Sequence, residues 1–144
     1  PEKEKRVLIA GTFNAHPLTT IAAIATLKKL SSGVVYQHVE KLGAMLETGL
    51  NDILSKYNKP FYVARQGSAF CVYFMDHAPK DFHDIAVNND AAFDKDYRHK
   101  LIENGIFNFP LPSKQGSISY AHSVADIEET LEKNKQVLSA LFKR

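Results

Sequence analysis

The sequence is short of cysteine, has no long apolar run and carries no excess of charge of either sign, and each shortage removes a class of protein. A single cysteine, Cys71, cannot close an internal disulfide, which fits a reducing compartment. No apolar stretch approaches the roughly 20 residues that a helix needs to cross a bilayer, and no charged-then-apolar signal segment opens the chain, so a cytosolic protein is expected. The 18 basic and 16 acidic residues leave a formal charge of +2, dispersed along the chain. There is no basic stripe with interleaved aromatics, which argues against a nucleic-acid partner. Internal repeats, low-complexity tracts, phosphate loops of the P-loop type, paired carboxylates and a Ser/His/Asp set are also missing.

What is present is the balance of an ordinary globular domain, with 44% hydrophobic and 24% charged residues in 144. A chain of this size buries roughly two thirds of its unfolded surface and needs no disulfide or structural metal to hold a core. It begins at Pro1 and continues "EKEKR" before any structural pattern, which reads as a piece of a longer polypeptide.

The periodicity predicts an α+β domain: an antiparallel sheet of three to four strands, covered mostly on one side by helices. Pro17 suits the first position of a helix carrying Leu18, Ile21, Ala22 and Ala25, ending near Ser31 to Gly33. A longer helix follows from Val35, Val39, Leu42, Leu46, Leu50, Ile53 and Tyr57, stopped by Asn58 to Pro60. The stretch "FYVARQGSAFCVYFMD" changes to a period of two, with a turn at Gly67 and Ser68. A polar loop is expected over 77–89, then a helix using Phe93, Tyr97 and Leu101 with Gly105 as its C-terminal signal. Two short strands are expected at 106–109 and 117–121, with the loop "PLPSKQG" between them. A final helix is capped by Ser123 with Asp126 three residues on.

Few residues invite a chemical role. His77 and His83 stand beside Asp76, Asp81 and Asp84, but no pair has the spacing of a known metal motif, so the segment reads as a solvated loop and no metal is expected. Cys71 lies in an apolar strand with no histidine in register, as a buried thiol does. His122 is either a polar residue holding a strand-to-helix turn or a catalytic group without an orienting partner.

Three stretches then stand out together: "AGTFNAHPLTTIAAIATLKKL", "RQGSAFCVYFMD" and "GIFNFPLPSKQGSISYAHSVADIEETL". In order and separation they resemble the C-terminal small domain of the class III pyridoxal-phosphate aminotransferases, fold type I, and most nearly the glutamate-1-semialdehyde 2,1-aminomutase branch. His16 departs from that branch, which usually has Asn before the proline. The resemblance covers essentially the whole chain, and implies an extended interface segment over 1–15 and the small domain, with a long interface helix, over 16–144.

It further implies a homodimer in which Gly11, Thr12 and Phe13 meet the phosphate of pyridoxal 5'-phosphate bound by the partner subunit. A phosphate dianion needs several donors, and a hydroxyl with backbone N–H groups at a chain reversal supplies them at low steric cost. Thr12 as a helix cap is the weaker reading, because it lies five residues before Pro17. The lysine that binds the cofactor covalently in this family, and the acid that meets its pyridine nitrogen, lie upstream in the large domain. No catalytic residue is therefore expected here, and the chain alone should be silent.

The substrate side is less uniform. The aminomutase branch has a glutamate two residues before the Gly of the second strand, and counting from Gly116 and Pro110 puts Lys114 there. A cation cannot take that part beside an amine, so an aminotransferase acting on an amino acid or amine and a keto acid is favoured over an aminomutase. Lys114 then either pairs with a substrate carboxylate or is a solvated loop residue. Arg65 is a second basic residue for the substrate, though an arginine there is commonly structural in this branch. The alternative of another class is a non-catalytic α+β binding or regulatory module.

Overall fold

The computed structural model describes residues 11–143, which fall into two compact units divided between Val35 and Tyr36. In the first unit a turn over residues 12–15 leads into α1 (Pro17–Leu30). Pro17 opens the helix, where its missing N–H costs nothing. The N-cap His16 makes no side-chain cap bond; instead the Thr19 and Thr20 hydroxyls donate back to its carbonyl at 2.8 and 3.0 Å. No residue of α1 is buried, and Leu18, Ile21, Ile24 and Leu27 all face solvent in this chain.

The second unit is built on α2 (Val34–Leu54), which enters it at Tyr36. Val39, Leu42, Leu46, Leu50, Ile53 and Leu54 recur every three or four residues and are all buried. Against them lie the hairpin β1 (Tyr62–Gln66) and β2 (Ala69–Tyr73), antiparallel with Arg65 opposite Phe70, and β3 (Gly116–Ser117) antiparallel to β2. Gly43 lets the hairpin turn approach α2: a Cβ there would stand 2.6 Å from the carbonyl oxygen of Gly67. Then come α3 (Phe82–Asn88), α4 (Ala91–Glu103) and α5 (Val124–Leu141). Val63, Val72, Phe74, Tyr97, Leu101, Ile127 and Leu138 complete one core with α2.

Both capping expectations hold. Ser123 and Asp126 form a reciprocal capping box on α5. α4 ends in a Schellman arrangement, with Ile106 N–H donating to Leu101 O and Gly105 N–H to Ile102 O, both 2.9 Å, and Gly105 at φ +84°.

Three details differ from the periodicity. Residues 106–109 form no strand: Ile106 N–H is spent on the α4 terminus, Phe107 is exposed, and Pro110 and Pro112 have no N–H for a ladder. The strand expected over 117–121 is cut short because Ser119 N–H donates to His122 Nδ1 at 3.0 Å. The polar loop over 77–89 contains α3, capped by Asp81, whose carboxylate accepts Asp84 N–H at 2.8 Å. Phe82 and Val87 of α3 are exposed, so no apolar period announced it.

Candidate functional site

In the first unit, Gly11, Thr12 and Phe13 share one tight turn. Asn14 N–H closes on Gly11 O at 3.0 Å and His16 N–H on Phe13 O at 3.2 Å, while Ala15 takes φ +58°. Thr12 and Phe13 are exposed, and among the described residues their N–H groups enter no hydrogen bond. One hydroxyl and two adjacent N–H groups at a chain reversal form a donor set that suits a phosphate dianion.

In the second unit, Lys114 is exposed and makes no ion pair among the described residues, but its backbone is fixed. Asp94, fully buried, and Arg98, 6% exposed, are an i, i+4 pair on α4 with Arg98 Nε donating to Asp94 Oδ1 at 2.5 Å. Arg98 Nη1 donates to Lys114 O at 2.8 Å and to Phe109 O at 3.4 Å. Asp94 Oδ2 accepts Ser113 N–H at 2.7 Å, holding Ser113 at φ +60°. One ion pair thus grips both ends and the bend of the loop that carries Lys114.

No family model matches the chain. The glutamate-1-semialdehyde 2,1-aminomutase of Akkermansia muciniphila is 32% identical over 132 residues, 92% of this chain and 31% of that protein. An omega-transaminase from Sphaerobacter thermophilus matches the fold with a TM-score of 0.77 at 25% identity, over 92% of this chain and 30% of its own. A transaminase solved with PLP bound matches with a TM-score of 0.75 at 25% identity, over 95% and 30%. The chain's homologues are glutamate-1-semialdehyde 2,1-aminomutases, and its structural neighbours are class III pyridoxal-phosphate transaminases. The chain spans about a third of the length of the curated relatives it matches, and it carries the small domain expected from the resemblance.

Of the two basic residues that family likeness put at the substrate, Arg65 is engaged in the fold. Its Nε donates to Glu47 at 2.7 Å, and Nη1 reaches Glu40 at 2.9 Å and Gly67 O at 3.1 Å. The Glu47 bond, ahead of the opposing effect of burial, raises its already high pKa. Lys114 remains the open cation of the pair.

The other singled-out residues take structural positions. Cys71 is buried, and desolvation pushes its thiol above the ordinary range. His122 accepts Ser119 N–H at Nδ1, and its carbonyl accepts from His38 Nε2 at 2.8 Å, which is how a turn residue behaves. His77 lies between Asp76 Oδ1 at 2.6 Å and Asp84 Oδ1 at 3.0 Å. Among the described residues no cluster of three His, Cys, Asp or Glu has the geometry to hold a metal ion. No single helix among them is long and apolar enough to cross a membrane. The Asp94–Arg98 pair was not anticipated. Its signal is two opposite charges four residues apart, interleaved with Tyr97 and Leu101, on the face of α4 that turns inward.

Proposed function

We propose that this chain is the small-domain part of a cytosolic, homodimeric pyridoxal-phosphate aminotransferase that moves an amino group between an amino acid or amine and a keto acid. The observation that carries this reading is the coextensive likeness: over nine tenths of the chain follows enzymes of this family in both sequence and fold. When bound, the cofactor supplies the electron sink for amino transfer. This chain's part is to bind and orient. Thr12 Oγ1 and the N–H groups of Thr12 and Phe13 donate to the phosphate, with Gly11 leaving room for its approach. Lys114, on a loop held by Asp94 and Arg98, pairs with a substrate carboxylate, and Arg65 stiffens the hairpin through Glu40 and Glu47. The cofactor-binding lysine is outside these residues, so the chain alone is expected to be inactive.

In the complete protein, Thr12→Val removes one charge-assisted donor, worth about 1.5–3 kcal/mol. Cofactor affinity, followed by absorbance, should fall about ten- to a hundredfold. Unchanged affinity in a dimer of normal mass would remove Thr12 from the phosphate site.

A second reading, an aminomutase, is favoured by the names of the curated relatives. Lys114 speaks against it, since a cation beside an amine repels where a glutamate attracts. Lys114→Ala should raise KM for carboxylate-bearing donors and spare neutral amines. Equal effects on both would exclude the pairing.

A further inference from the structure

The loop that carries Lys114 bends at Ser113, which with Ala15 is one of two non-glycine residues of positive φ among the described residues. A left-handed conformation at +60° is sparsely populated by residues with a side chain and persists where the surroundings over-determine it. Ser113 stands immediately before Lys114, so the sign of its φ sets the course of the chain into that lysine.

Two side chains hold the bend. Ser113 N–H donates to Asp94 Oδ2 at 2.7 Å, and Ser113 Oγ accepts from Asn89 Nδ2 at 3.2 Å. The same Nδ2 also donates to Asp94 Oδ2 at 3.3 Å, while Asn89 Oδ1 accepts Phe74 N–H at 2.7 Å. A backbone N–H can only donate and a carboxylate can only accept, so the amide has one orientation, with its oxygen and both hydrogens in use. Its anchor is firm. Asp90 N–H donates back to Phe74 O at 3.1 Å, and Phe74, 3% exposed, meets the rings of Phe93 and Tyr97 edge-on at 4.7 and 5.4 Å. Asn89 thus joins the buried end of the hairpin to the bend beside Lys114.

No other side chain of this size serves. Aspartate would set a second carboxylate against Asp94 and lose both donations, and an apolar residue would leave Phe74 N–H without its acceptor. We propose that Asn89 is a positioning residue for substrate selection: through Ser113 it fixes the backbone from which Lys114 meets a carboxylate-bearing donor. This rests on the reading that Lys114 pairs with a substrate carboxylate.

The test is steady-state kinetics of the complete protein on a carboxylate-bearing donor and a neutral amine, for Asn89→Ala, Lys114→Ala and the double variant. Asn89→Ala should raise KM for the carboxylate donor about three- to tenfold, the reach of a neutral hydrogen bond, with kcat and the neutral amine unchanged. In the Lys114→Ala background it should add nothing, because the group it positions is gone. A rise equal for both donors would mark a merely structural role and overturn the proposal, as would the same rise in the Lys114→Ala background. No rise from Asn89→Ala where Lys114→Ala gives one would overturn the role of Asn89 and leave that of Lys114 standing. A silent Lys114→Ala would overturn both. If Asn89→Ala fails to fold, Ser113→Gly is read in its place. Glycine takes φ +60° without strain but prefers neither sign and gives up the bond to Asn89, so the same selective rise is expected.

Discussion

α1 and α2 both carry apolar residues at helical spacing, yet α1 buries none of them in this chain while α2 buries six large ones. The difference lies outside the helices themselves. α2 meets a hairpin, α4 and α5, each of which brings its own apolar face, and the sum is one core. α1 has no such complement among the described residues of its own unit, and a helix of 14 residues is marginal in water on propensity alone. Periodicity therefore reports which face would be buried. Whether it is buried depends on residues elsewhere.

The comparison is broken most severely inside the second unit. Arg98→Ala leaves Asp94 as an uncompensated buried carboxylate, and removing one partner of such a pair costs about 3–5 kcal/mol. Leu50→Ala, at a site 1% exposed, should cost about 2–5 kcal/mol. Urea unfolding reads both. A loss under 1 kcal/mol for either would mean that the core about α4 is not organised as described. Arg98→Ala should also speed exchange of the Ser113 amide, which Asp94 holds, whereas Leu50→Ala should affect that amide only through global unfolding.

These sites also mark what could be read in the sequence. The hairpin, α2, α4 and the α5 cap were legible because each rests on local signals: alternation from Tyr62 to Tyr73, the three-and-four spacing from Val39 to Ile53, Gly105 and Ser123. Thr12 and Lys114 came from likeness to a family, and their exposed positions are compatible with reaching a ligand. The Asp94–Arg98 pair left a local signal, opposite charges four residues apart, but its grip on the 109–114 loop was not legible. That grip depends on which side chains meet across a fold, and Arg98, Lys114 and Cys71 lie far apart in sequence. α3 escaped for the opposite reason: its signal was a cap with no buried face behind it.

A milder perturbation acts at the periphery of the second unit, through pH. His77 has a carboxylate at each ring nitrogen, so both bonds can be donated only by the imidazolium. Its bond to Asp76, and then that to Asp84, raises its pKa above the ordinary 6.5, while Asp76 and Asp84 are held below their usual 3.8. A group whose folded pKa is raised stabilises fully below its unfolded value and loses that contribution as pH rises through the folded one. The difference in thermal midpoint between the native chain and His77→Gln should be greatest near pH 6 and shrink on the alkaline side of 6.5. A gap that is flat or widens upward would place the proton elsewhere.

The smallest effect is expected where the sequence is most misleading. Ile21 is apolar, mid-helix and at the spacing of a buried face, yet it is 66% exposed. With no cavity to leave and alanine the better helix former, Ile21→Ala should change the stability of this chain by less than about 0.5 kcal/mol. A loss above 1 kcal/mol in urea would mean that α1 is packed in solution and would erase the contrast with α2. The same substitution in the complete protein sharpens it. If the homodimer proposed above covers α1, Ile21→Ala there acts as a core truncation and should cost about 2–5 kcal/mol of folding or dimer stability. A chain insensitive to the change beside a complete protein that is sensitive to it would make the apolar face of α1 an interface; insensitivity in both would leave it a solvent-facing helix.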